Sequence, residues 1–391
     1  MRKRVLTTIG TVGLLLMCAG CGKAGEFYEK GQESVKTGDY ENALLYFSQA
    51  VEENPNKAEY YLEQGYSLAA LGRYEEARKS LSSAVVERDL ELTRKNNKRA
   101  WRAIGITYYE EGQYEQAKSY FNKALEESFL PELNMDIRMY LADALECEGE
   151  YDAAIKEYDT LLTECDEYEA GYQARGYMKY ILGYYEESLA DYEKAISLSP
   201  ENFDLYFGKY NVLEKLGREQ EQKELLQVIT GIENPSAEDG YFIAKAQYFS
   251  GSFEEAMVGL SKAAEDGYED AHYYMGEIYH KRSDYGEAIY HYKEYIDGAG
   301  AKDAAAYNQM AICLLKQERY ADALEAVYAG QKLSDPLHGR QLMFNEVVIL
   351  EKMGEYAAAY EKAVEYRNAY PEDTAIREEL EFLATRVREG S

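Results

Sequence analysis

The chain has 391 residues, 43 Lys plus Arg against 72 Asp plus Glu, and a formal charge of −29. That acidity argues against a nucleic-acid partner, because phosphates are held by Lys and Arg, and it opposes direct adhesion to anionic lipid. Tyrosine is used 40 times, against one Trp and eleven Phe.

The first twenty residues stand apart. Arg2, Lys3 and Arg4 form a positive start, Val5–Met17 is mostly apolar, and Cys18-Ala19-Gly20-Cys21 follows. Residues 1–20 have the form of a signal peptide, and the apolar stretch Val5–Met17 is too short to span a bilayer. The end resembles the bacterial lipobox, in which small residues precede the Cys that receives diacylglycerol. Cys18 departs from it, standing where that family usually has Leu. The resemblance implies lipidation at Cys21, a tether over 21–23 and an exported chain lipid-anchored to the outer face of the bacterial cytoplasmic membrane. An ordinary signal cut after Ala19 or Gly20, or an uncleaved anchor, remains the alternative.

From Gly38 a unit recurs. GDYENALLYFSQAVEENPN reads as a turn, an amphipathic helix and a stop. Tyr40, Ala43, Phe47 and Ala50 fall on one helical face, and Pro55 cannot continue the helix ladder. The turn returns at Gly72, Gly112, Gly149, Gly183, Gly217, Gly251, Ser283, Glu318 and Gly354, at spacings of 32 to 40 residues. Each copy is preceded by another helical stretch with its own small residue, such as Gly31, Gly65, Gly105 or Gly276. One such helix cannot bury its stripe alone, and repetition at this period predicts a solenoid.

The units resemble tetratricopeptide repeats. Trp101, Gly105, Tyr108, Gly112, Tyr114, Ala117, Phe121 and Ala124 fit one unit of that pattern, and Tyr172, Gly176, Gly183, Tyr185, Tyr192, Ala195 and Pro200 fit another. KAAEDGYEDAHYYMGEIY, from Lys262, also resembles the related Sel1-like variant. The resemblance implies an all-α fold: a right-handed α-solenoid of about ten helix–turn–helix repeats over 24–371, with a joint near 234–240. EDTAIREELEFLATRVREGS, over 372–391, reads as a capping helix and tail, since a solenoid needs a polar-faced end.

In this family the first helix of each pair lines a concave groove. Carried onto this sequence, the family's contact positions are Tyr28, Tyr66, Arg99, Arg102, Tyr109, Tyr177, Tyr180, Asn211, Tyr241, Tyr248, Tyr273 and Asn308. Aromatic hydroxyls with Arg and Asn make a recognition surface of large area and few rotors. The family's capture of a C-terminal carboxylate needs Lys and Asn on adjacent first helices, and Asn211 and Asn308 are too far apart for it. Arg94, Lys95, Lys98, Arg99 and Arg102 cluster in and after the loop before the third unit, where they are placed to hold an anion at a helix start or to neutralise acidic neighbours.

No catalytic constellation is visible, neither a phosphate-cradling glycine loop nor a nucleophile elbow. No cofactor or metal is expected: the four His are scattered, and Glu277 and His280, three apart, lack a matching second pair and read as surface residues. Cys147, Cys165 and Cys313 read as small buried residues. These observations converge on a membrane-tethered, extracytoplasmic scaffold for envelope or secretion assembly, binding a protein or peptide in the groove. A cell-wall glycan- or peptide-binding accessory lipoprotein is the alternative. Oligomeric state is open.

Overall fold

The computed structural model describes residues 22–389 apart from 234, 299, 302, 334 and 336. Cys21, expected to carry the lipid, lies outside the described residues. Among those residues there are α-helices, one 3-10 turn and no strand, and none of the helices is long and apolar enough to cross a membrane. Two compact units divide between Ser199 and Pro200.

The first unit contains α1 (Lys23–Lys36), α2 (Tyr40–Glu53), α3 (Ala58–Ala70), α4 (Tyr74–Ala84), α5 (Glu91–Glu110), α6 (Tyr114–Glu126), α7 (Asn134–Cys147), α8 (Tyr151–Glu164), α9 (Glu169–Ile181) and α10 (Tyr185–Leu198). The second contains α11 (Phe203–Leu216), α12 (Glu219–Thr230), α13 (Ala237–Phe249), α14 (Phe253–Glu265), α15 (Ala271–Lys281), α16 (Tyr285–Asp297), α17 (Ala304–Lys316), α18 (Tyr320–Gln331), α19 (Gly339–Lys352), α20 (Tyr356–Ala369) and α21 (Ala375–Glu389). Odd and even helices pair in sequence, so each unit is an α-solenoid of helix–turn–helix repeats, and α21 ends the second. Of the stretch expected as a joint, residue 234 lies outside the described residues, and 235–240 run from the end of the α12–α13 connection into the first turn of α13, inside the second unit.

The turn between paired helices is built the same way each time. Gly38 has φ 75°. Its amide donates to the Val35 carbonyl at 3.0 Å, and the Asp39 amide donates to the Ser34 carbonyl at 2.9 Å. This double bond pattern satisfies the last carbonyls of α1 and requires a left-handed residue, which glycine supplies without a Cβ clash. Ser283 and Glu318 make the same turn with φ of 61° and 60°, where a side chain is strained.

The pairs then pack on small residues. Ala43, Ala77, Ala117, Ala154, Ala288, Ala323 and Ala359 are all fully buried, three residues after the half-buried tyrosine that opens each second helix. On the facing first helix a Cβ added at Gly105 would lie 2.6 Å from the Phe121 ring, and one at Gly31 would lie 2.5 Å from the Phe47 ring. The aromatic seats directly on the glycine backbone, so even a methyl group would overpack the crossing. Beyond α20, Ile376, Leu380 and Leu383 of α21 are buried against Val347, Ala359 and Ala363.

Cys147 departs from its expected place. It is exposed, while Cys165 is half-buried and Cys313 buried; all three thiols are free. Cys147 is the last residue of α7, outside the crossing where small apolar residues are consumed.

Ser283→Gly and Glu318→Gly are expected to stabilise the protein by roughly 1 kcal/mol each, the relief of a left-handed side chain less the added freedom of the unfolded chain. Urea unfolding should show a raised midpoint at unchanged slope. An unchanged or lowered midpoint would remove strain as the reason these turns favour glycine.

Candidate functional site

With second helices consumed by packing, the first helices carry the side chains that remain. In the first unit, Tyr28 of α1 packs its ring 5.1 Å from Tyr60 and 5.7 Å from Phe47. Glu63 and Tyr66 lie a turn apart on α3, and Arg99 of α5 is close enough to act electrostatically on Tyr28, Glu63 and Tyr66. Three successive repeats thus place two phenols, a carboxyl and a guanidinium together. Burial pushes the Glu63 carboxyl up to about 7, with Arg99 opposing the rise, and burial pushes the Tyr66 phenol up to about 12. Burial also raises the Tyr28 phenol.

Arg102 sits differently. It is only 5% exposed, and its Nε donates to the Asp136 carboxylate of α7. Its neighbours in the basic run are engaged too. Arg94 Nε donates to Glu127 at 2.8 Å, and Lys95 pairs with Glu91. Lys98, fully buried, donates to the Glu127 carbonyl at 2.9 Å and to Asn134 Oδ1 at 2.6 Å. The helix begins at Glu91, so these cations lie along its body rather than in a loop at its start. The extra length of α5 lets one helix be tied by charge to the next repeat. That is a structural use of Arg94, Lys98 and Arg102, of the kind the sequence offered as the alternative to an anion site.

Tyr109 is half-buried, its ring 5.6 Å from Tyr140 and 5.7 Å from Tyr114. Tyr177 and Tyr180 on α9 are also half-buried; Tyr180 packs 5.8 Å from Tyr185, and Tyr177 packs against the core around Met178.

In the second unit Asn211 of α11 is exposed, and Tyr241 of α13 is buried, its ring parallel to Tyr268 at 5.7 Å. Asn308 of α17 is buried and accepts from Asn345 of α19 at 2.8 Å, a helix-to-helix tie rather than an open contact. The hub is Glu277 of α15. It is 9% exposed, not a surface residue, and accepts from Tyr248 at 3.1 Å and from Tyr292 at 2.6 Å. Two hydroxyl donors are what makes a buried carboxylate tolerable. Tyr273 fits between Tyr274, Tyr292 and Tyr295 with ring centroids 5.3 to 5.9 Å apart. Lys245 of α13 is likewise buried, 3.4 Å from Asp204 and with its ammonium 4.2 Å from the Phe207 ring centre.

Glu63, Lys245 and Glu277 were not singled out as contact residues by the sequence. The signal was present: each lies three or four positions from a predicted tyrosine, Tyr66, Tyr248 or Tyr273, and so on the same helical face.

Elsewhere, Glu115, Glu148 and Glu150 bring carboxylates within reach of one another, but the Lys118 ammonium pairs with all three. His272 and His291 meet Nδ1 to Nδ1 at 2.9 Å, which needs one nitrogen unprotonated. Burial, then the His272 charge, lowers His291 to about 4. A recess of about 630 Å³ between α2, α3 and α4 is lined by Ser48, Gln64 and Ser80, which hydrogen-bond one another.

The two shifted groups have opposite linkage. Glu63 is raised, so its contribution to stability is full below the ordinary 4.5 and is lost as pH rises through about 7. His291 is lowered, so its contribution is full above the ordinary 6.5 and is lost as pH falls toward about 4. Stability–pH curves of Glu63→Gln and His291→Phe, each subtracted from the parent, should slope in opposite directions across those windows. A flat difference curve would refute the assignment for that residue.

Residues 28–90 and 102–170 match the family model described as tetratricopeptide repeat, and 176–217 match one described as TPR repeat. The chain is 27% identical to TPR repeat-containing protein MJ1428 of Methanocaldococcus jannaschii over 188 residues, 46% of this chain and 32% of that protein. It is 25% identical to the DnaJ protein P58IPK homolog of Arabidopsis thaliana over 201 residues, 49% of this chain and 41% of that one. The chain therefore spans less than half of the length of these relatives. Among solved structures, a tetratricopeptide repeat protein from Parabacteroides merdae is similar at 20% identity and TM-score 0.46, covering 63% of this chain and 93% of that chain. A chain of the Cut9–Hcn1 hetero-tetramer is similar at 11% identity and TM-score 0.45, covering 93% and 96%.

Proposed function

We propose that this array of tetratricopeptide repeats is an interaction scaffold that receives a segment of a partner protein along its first-helix faces. The observation that carries the reading is the convergence of Tyr28, Glu63, Tyr66 and Arg99 from α1, α3 and α5. Side chains from three repeats meet with charges close together, and Glu63 is desolvated enough to hold its proton up to about 7. A segment laid along them would contact several repeats at once, and rigid phenols give area at small entropic cost. Binding, not catalysis, is the work such a surface does.

The reading continues to the membrane. The Arg2–Arg4 start, the apolar stretch and Cys21 support an exported chain held by lipid at the outer face of the bacterial cytoplasmic membrane, with the scaffold serving envelope or secretion assembly. The glycan alternative draws less support from the tyrosines. Sugar stacking needs open ring faces, whereas Tyr241 is buried and the Tyr248, Tyr292 and Tyr295 hydroxyls are taken by carboxylates.

Two measurements test it. A photo-crosslinking residue at Tyr66, in solubilised membranes, should give a discrete protein adduct that Arg99→Ala abolishes. The same residue at Leu45, exposed on a second helix, should not give it. Equal adducts from both positions would sink the first-helix reading. Palmitate should label the parent and not Cys21→Ala; label retained by the variant would sink the anchor.

A further inference from the structure

Two of the four histidines, scattered along the sequence, meet in the second unit. His272 lies in the first turn of α15 and His291 in the middle of α16, the two helices of one repeat. Their Nδ1 atoms are 2.9 Å apart and their ring centroids 5.1 Å apart. Tyr279 lies nearly parallel to the buried His291 ring at 5.3 Å, and Tyr290 meets that ring edge-on at 5.0 Å. The packing fixes His291, while His272, half-buried, keeps the pair within reach of solvent.

Two imidazole nitrogens this close need something electropositive between them. A neutral histidine carries one ring proton. If both rings hold it on Nε2, two lone pairs face each other across 2.9 Å. Either one ring donates a proton from Nδ1, or a metal ion takes both lone pairs. The spacing suits a particular class of ion. An imidazole nitrogen sits about 2.0–2.1 Å from a divalent transition metal, so two nitrogens at a right angle on the metal stand about 2.9 Å apart and two at a tetrahedral angle about 3.3 Å. The right-angled spacing is the one found. Ions that accept it, in square-planar, tetragonal or octahedral surroundings, include nickel(II) and copper(II), and both favour imidazole.

We infer that His272 and His291 form a binding site for a divalent transition-metal ion of this class, with both Nδ1 atoms as ligands. The proton balance closes without loss of charge: the ring that donated from Nδ1 carries its proton on Nε2 instead, and both rings bind as neutral imidazoles. Among the described residues no third His, Cys, Asp or Glu joins the pair with ligand atoms within 4.8 Å of one another. The other positions on the metal therefore fall to water, which makes the site an open one. An ion held there would clamp α15 to α16, the same two helices that pack through Tyr292 on Gly276. Such a site neither requires nor excludes a partner segment on the first helices.

The test uses the full chain and nickel(II), which does not oxidise the free thiols as copper(II) does. Calorimetric titration should show nickel bound, and X-ray absorption of the loaded protein should show two imidazole ligands and no sulfur. His272→Asn leaves an amide in place of the half-buried ring and should keep the helical circular dichroism of the parent. Its nickel affinity should fall by roughly a hundredfold or more, since loss of a ligand costs at least as much as loss of a group that orients one. His280→Asn, on the same helix but with its ring beside Tyr285, should bind as the parent does. Absorption spectra with sulfur or fewer than two imidazoles overturn the site whatever the variants do. Equal affinity of the parent and a folded His272→Asn overturns it as well. A parent that binds no nickel leaves the pair as a plain hydrogen bond, and the site falls.

Discussion

Everything in either unit depends on how closely two paired helices approach. Phe47 rests on Gly31, Phe121 on Gly105 and Tyr292 on Gly276, at distances that leave no room for a methyl group. A ring against bare backbone gains dispersion along its whole face and fixes both the rotation and the height of one helix on the other. The left-handed turn then sets where the second helix begins. Together they commit the Ala and aromatic stripe of each second helix to the inside, and the first helices are left to present what is polar.

Charge serves two purposes in this arrangement. Exposed pairs such as Lys79 with Glu75 contribute little, since solvent screens them. Buried ones matter more, because an uncompensated ion in the interior costs several kcal/mol. Lys98, Arg102, Lys245 and Glu277 are each answered by a specific partner on a neighbouring helix, so they specify which repeat follows which.

The repeat was legible because its signals are local. A turn glycine, a tyrosine two residues on and an alanine three further recur in the letters of the sequence, and the structure places each where that period requires. The faces were only half legible. Tyr28, Tyr66, Arg99, Tyr248 and Tyr273 do lie on first helices among charged neighbours. Arg102, Tyr241 and Asn308 lie there too, but they are buried by contacts with the next repeat. Position within a repeat says which way a side chain points, not whether the next repeat covers it. Glu277 shows the same limit: in a chain with 72 acids, only Tyr248 and Tyr292 closing on it distinguish that carboxylate. For the basic run near Arg94 the letters left two roles open, holding an anion or neutralising acidic neighbours, and only the pairing of Arg94 with Glu127 and of Arg102 with Asp136 shows the second in place.

Successive first helices are linked directly, by Arg102 to Asp136 in one unit and by Tyr248 to Glu277 in the other, bypassing the helix between them in sequence. Within each unit this makes the array behave as a chain of nearest-neighbour couplings. A segment that bridges several first helices adds a term to each interface it crosses. It therefore rewards the repeats for being folded together, and fraying from the ends becomes costlier in proportion to the length of the guest. Occupancy and cooperativity of folding are, in such an array, two readings of one quantity.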